Sequence, residues 1–208
     1  KAFKKGKKQK INKPIKLLSA GDNNWGSRGW GVWCLFDDPN DIDRFCNRDN
    51  ENSAINILER NLIEATRKLI NDGGMIEAKL EPENFEGKMY NTAFLGDNDL
   101  CGNDASPTAK GCYDPITSTL MIHKRLFDED PDYIKFIIAH ELIHAVQAAK
   151  ALNTFYANAQ SSLWILEGLA DHGGSFLINR DLAQNPIKEK KDWGHPLASI
   201  LDLNEYQA

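Results

Sequence analysis

The sequence predicts an α+β fold, on three observations. Residues 133–149 form a long apolar run suited to a buried helix, and a second buried helix is read from residue 164 onward. Residues 53–71 place Ile55, Leu58, Leu62, Ala65 and Leu69 at spacings of three and four, the period of an amphipathic helix. Between these helices lie short segments at 33–36, 75–80, 89–95 and 116–123 that read as strands of one small sheet.

A chain of 208 residues suits one domain with a sizeable core. Residues 1–16 hold eight lysines and no acid, so they are expected to form a basic, disordered tail ahead of a single domain at 17–208. The net charge is nevertheless −5. So acidic a body argues against a face for duplex DNA, and no nucleic-acid partner is expected. No apolar run reaches the length of a membrane span, and no signal peptide is visible. The chain opens on Lys1 rather than Met, so a further upstream segment is expected.

In chain order, residues 17–36 carry Trp25, Trp30 and Trp33 among glycines, a pattern of aromatic packing at the entry of a strand. Residues 37–49 are acidic and read as a solvated loop; their order does not match a calcium-binding loop. The helix at 53–71 starts at Asn52 or Ser53 and stops at Gly73-Gly74. Residues 97–111 read as a Gly/Asn/Asp loop, with Asp97, Asn98 and Asp99 solvated. Asp132 is expected to cap the helix that follows Pro131, and Ser161-Ser162 the next. That last helix is expected to run to Asn179 despite Gly173-Gly174, before a charged connector at 188–191 and a short helix from Pro196.

Four cysteines allow three connectivities. Local pairing, Cys34–Cys46 and Cys101–Cys112, is the expectation because each pair brackets a polar, turn-rich loop. Disulfides imply an oxidising compartment, secreted or otherwise extracytoplasmic. Neither spacing is C-x-x-C, which argues against a cysteine-bound zinc.

The chemistry concentrates at His140-Glu141-Leu142-Ile143-His144. Residues four apart share a helix face, so both imidazoles can reach one metal ion. Glu141 lies about 100° further round the helix, beside such an ion rather than on it. The motif alone reads as a zinc site with a general base next to a bound water. Two core histidines are the plainer alternative, but unpaired buried imidazoles are costly.

Further on, Glu167 and Asp171 stand four apart in Trp164-Ile165-Leu166-Glu167-Gly168-Leu169-Ala170-Asp171. Here the chain resembles the gluzincins, the thermolysin-like clan of zinc metallopeptidases, over about 113–179. The resemblance implies a zincin-like fold: a small twisted sheet with an edge strand beside the active-site helix, and a second helix carrying the third ligand. It implies one zinc on His140, His144 and Glu167, with Glu141 as the base and Asp171 orienting His140. Gly168 would let the two helices approach closely. The strand at 116–123 would be the edge that pairs with a substrate backbone. In this clan a tyrosine or histidine steadies the oxyanion, and Tyr156 and His195 are the candidates. His123 and His172 are expected to stand outside the site.

The implied activity is hydrolysis of protein or peptide substrates. A zinc amidase acting on cell-wall peptides is the nearest alternative. A catalytically inactive binding module on the same fold is the other, and the intact Glu141 counts against it.

Overall fold

A computed structural model describes residues 25–85, 87–97, 109–150 and 159–178. The expected tail at 1–16, Asn98, Asp99, Cys101, Tyr156, the connector at 188–191, His195 and Pro196 lie outside these residues.

The described chain is mixed α+β. A 3-10 turn at Trp25–Ser27 leads into β1 (Gly29–Leu35), α1 (Pro39–Phe45) and α2 (Ala54–Asn71). Then come β2 (Pro82–Phe85), β3 (Lys88–Gly96), β4 (Gly111–Asp114) and β5 (Thr119–His123). A 3-10 turn at Lys124–Asp128 precedes α3 (Pro131–Ala149) and α4 (Ala159–Leu177).

The sheet is small, open and mixed, in the order β1-β3-β5-β4. β3 pairs in parallel with β1 along one side. Its other side is shared between β2, antiparallel at Lys88–Asn91, and β5, parallel from Ala93 to Gly96. β4 closes the order as an antiparallel partner of β5. α2 lies against β1, α3 against β4 and β5, and the two helices touch each other. The core between them holds Trp30, Val32, Leu58, Leu62, Leu95, Leu120, Ile122, Phe136, Ile138 and Leu142.

α2 forms as its periodicity predicts. Ile55, Leu58, Leu62, Ala65 and Leu69 are all buried, and Gly74 takes a left-handed φ of 62° past its end. β1 alternates Trp30, Val32 and Cys34 inward, and the Trp30 Nε1–H donates to Thr66 on α2 at 3.0 Å.

Several boundaries differ from expectation. The loop at 37–49 contains α1, which has the start signals of a helix: Asp38 accepts from the Asn40 N–H at 2.9 Å, and Pro39 opens the first turn. Its end is fixed inward, because Phe45 stacks on Phe36 and Cys46 is disulfide-bonded to Cys34. Residues 75–80 are not a strand. They cross over α3, where the Lys79 N–H donates to the Ala145 carbonyl at 2.8 Å, and Ile76 is 64% exposed. Strand pairing starts instead at β2, whose Pro and Glu conceal it from propensity.

The expected strand at 116–123 begins only at Thr119 and is not an edge. Residues 115–118 are the turn of a β4–β5 hairpin, closed by Asp114 accepting from the Ile116 N–H and the Thr117 hydroxyl. Ser118 is left-handed there and Ile116 is 91% exposed. Among the described residues the edge beside α3 is therefore β4. The cap of α3 is Asp130, not Asp132: its Oδ1 accepts from the N–H groups of Asp132 and Tyr133, both at 3.0 Å. α4 starts at Ala159, which places Ser161-Ser162 inside the helix, and it ends at Leu177, two residues short of Asn179.

Candidate metal centre

α3 is buried nearly all round, with Ile134, Phe136, Ile137, Ile138, Leu142, Ile143 and Val146 in the core. Its polar residues are therefore taken out of water along with its apolar ones. His140, Glu141, His144 and Gln147 are all buried. Groups of that kind need partners, and α4, β4 and α3 itself supply them.

The two helices touch where side chains are absent. A Cβ on Gly173 would lie 2.7 Å from Ile143 side-chain atoms, and one on Gly174 3.3 Å from the His140 backbone nitrogen and the Phe136 carbonyl oxygen. Gly173 and Gly174 thus make a close approach between the two helices. It sets Glu167 and Asp171, four apart on α4, against His140 and His144 on α3.

Three atoms converge. The Nε2 atoms of His140 and His144 are 3.1 Å apart. Glu167 Oε2 lies 3.2 Å from the first and 3.5 Å from the second. The other ring nitrogens decide what these atoms can do. His140 Nδ1 is 2.8 Å from Asp171 Oδ1. His144 Nδ1 is 2.8 Å from Gln147 Oε1. The Gln147 amide NH₂ donates to the Leu166 carbonyl at 2.8 Å, which turns its oxygen toward His144. Both acceptors put the imidazole proton on Nδ1, so both Nε2 lone pairs face each other and a carboxylate oxygen. Two lone pairs and an anion at this spacing repel unless a cation sits among them.

A metal ion fits. Donors held about 2.0–2.1 Å from one tetrahedral centre lie about 3.3 Å apart, within the spread observed. Two imidazoles with one carboxylate suit a transition metal rather than calcium or magnesium, which take oxygen ligands. His140, His144 and Glu167 can therefore hold a metal ion, with Asp171 and Gln147 as its outer partners.

Charge in the site is lopsided. Burial pulls the His140 imidazole down, but the Asp171 and Glu167 carboxylates and the charge of Glu141 push it up to about 10. Burial likewise raises the Glu167 carboxyl, and the two imidazoles more than reverse this, holding it well below the usual range. Glu141 goes the other way. Its burial raises the carboxyl, against the opposing pull of His140 and His144 and of a hydrogen bond from the Tyr113 N–H.

Glu141 faces the sheet edge. A Cβ on Gly111 would lie 3.0 Å from Glu141 Cγ and 3.3 Å from its Oε1. The carboxylate thus sits against β4, one side of it toward the strand and the other toward the histidines. His172 is exposed, as expected. His123 is half-buried, a ring nitrogen 3.1 Å from the Asp97 carbonyl and the other accepting from the Arg125 N–H. Cys112 is disulfide-bonded, while its expected partner Cys101 lies outside the described residues. So do both oxyanion candidates, Tyr156 and His195.

Sequence reading missed Gln147, although its place one turn after His144 was a usable signal. It also missed Gly111 and Tyr113, which only strand pairing brings to Glu141. No family model, curated protein or solved structure matches this chain.

Proposed function

We propose that this chain is a zinc-dependent metallopeptidase of the gluzincin type. The observation that supports it most is the setting of Glu141: a buried carboxylate between a His-His-Glu trio and the edge of a sheet. A site that only stored a metal would have no use for such a base. Zinc suits two imidazoles and a carboxylate, and when bound it supplies a Lewis acid and an activated water near neutral pH.

The chain's own residues do the rest. His140, His144 and Glu167 would hold the ion, while Asp171 and Gln147 keep each imidazole in the tautomer that presents Nε2. Glu141 takes a proton on its carboxylate as the peptide carbonyl is attacked, then delivers it to the leaving amine. β4 is the strand beside this carboxylate, and an extended peptide laid along it would gain main-chain hydrogen bonds irrespective of its side chains. The oxyanion donor is proposed to be Tyr156 or His195. The Cys34–Cys46 disulfide favours an extracytoplasmic setting. No helix among the described residues is long and apolar enough to cross a membrane.

The test is direct. Protein purified without added metal should carry about one zinc per chain, read by mass spectrometry. It should cleave casein or a quenched random-peptide library, and a chelator should stop it. A protein with zinc that hydrolyses neither leaves the peptidase reading without support.

A further inference from the structure

Glu141 and the sheet edge are joined by more than proximity. The His123 N–H donates to the Lys110 carbonyl at 2.9 Å, continuing the β4–β5 register. In an antiparallel ladder this makes Cys112–Met121 and Asp114–Thr119 the pairs that exchange hydrogen bonds. Gly111 and Tyr113 therefore turn their backbone groups away from β5, toward the side of β4 that pairs with no strand among the described residues. The Tyr113 N–H is the group that reaches the Glu141 carboxylate.

Positions 111 and 113, two apart on the strand, share the sheet face toward α3. The Tyr113 hydroxyl donates to the Lys79 carbonyl at 2.5 Å. The Lys79 N–H donates to the Ala145 carbonyl at 2.8 Å, and its ammonium donates to the Pro115 carbonyl at 2.8 Å. Ala145 stands one helical turn beyond Glu141 on the same face of α3. The path thus closes: Glu141 to Tyr113, Tyr113 to Lys79, Lys79 to Ala145, and along one turn of helix back to Glu141. A free edge strand could slide or lift by an ångström. This one is tied to the helix that carries the carboxylate, through a segment that belongs to neither.

We propose that Tyr113, anchored through Lys79 to α3, is the positioning residue for the Glu141 carboxylate, and that position 111 is glycine because a Cβ there would press on the Glu141 side chain, at 3.0 Å from its Cγ and 3.3 Å from its Oε1, as well as on Ile122. The proposal rests on the general-base reading of Glu141. It also limits how a substrate can bind: the Tyr113 N–H is already engaged, so an extended peptide along β4 must find its main-chain partners elsewhere on the strand.

The test uses zinc-loaded full-length protein and the variants Tyr113→Phe and Gly111→Ala. Amide hydrogen exchange, read by NMR, should show the amide at position 113 protected in the wild type although it points away from β5. In Tyr113→Phe, which keeps the ring, it should exchange about tenfold faster. kcat on the peptide library should fall about tenfold with KM and zinc content unchanged. In Gly111→Ala, zinc should remain while kcat falls about a hundredfold. Unchanged exchange at position 113 in Tyr113→Phe would overturn the anchoring. Full kcat in Gly111→Ala would overturn the role of the glycine. If the wild type cleaves no peptide, the peptidase reading fails, and the exchange measurement still decides the anchoring by itself.

Discussion

Among the described residues, two clusters of buried charge are built on opposite terms. Beneath α2, Glu59 is fully buried and receives both terminal nitrogens of Arg48, at 2.8 and 3.0 Å. Asn56 holds the Arg48 carbonyl at 2.9 Å. One cation meets one anion, and both carboxylate oxygens are satisfied. Between α3 and α4, three carboxylates surround two imidazoles whose proton-bearing nitrogens already face acceptors. The first cluster neutralises its own charge. The second has its lone pairs pointed inward, and only a proton or a metal ion resolves them. Buried charge is thus no sign of function by itself; the imbalance is.

That contrast can be broken most sharply at Glu141. Glu141→Gln keeps the size and the hydrogen-bonding oxygen but cannot accept a proton at neutral pH. Its turnover should fall by about 10² to 10⁴ with zinc content unchanged. Wild-type turnover in this variant, on a substrate that the chelated protein leaves intact, would move the base elsewhere.

The next effect belongs to the other cluster. Glu59→Ala strands Arg48 and should destabilise the fold by about 3 kcal/mol in urea unfolding. Zinc per chain should not change. Loss of metal in this variant would mean that the two clusters are coupled, and the contrast drawn here would fail.

Asp171→Asn tests the outer partner of the trio. Zinc affinity should drop by about 10 to 100-fold, measured by competition with a chromogenic chelator, with activity partly recovered at excess zinc. No change in affinity would leave Asp171 a purely structural carboxylate.

The smallest effect is a proton count. In metal-free protein a proton on His140 substitutes for the ion, and its raised pKa means that this proton stabilises the fold. That contribution is complete below pH 6.5, the ordinary value, and disappears as pH rises through about 10. Zinc added at pH 8 must therefore expel about one proton per chain, visible with an indicator dye in weak buffer. Uptake without proton release would show the imidazole already neutral, and the charge imbalance smaller than drawn.

Periodicity alone determined much of this protein. The spacing of four puts His140 over His144 and Glu167 over Asp171, because a helix repeats every 3.6 residues wherever it lies. The apolar face of α2 and the Cys34–Cys46 closure follow from equally local rules. Other features depended on tertiary structure. Residues 75–80 have the composition of a strand yet cross a helix, since strand pairing is a contract between distant segments. Which strand is the edge turned on whether 116–118 extended or bent, and the bend was set by Asp114 together with a left-handed Ser118. The two glycines that let α3 and α4 touch, the amide of Gln147 fixed by Leu166, and the path from Tyr113 through Lys79 to Ala145 all join residues remote in sequence. A local pattern can place a side chain on a face, but only the packed chain decides what that face meets.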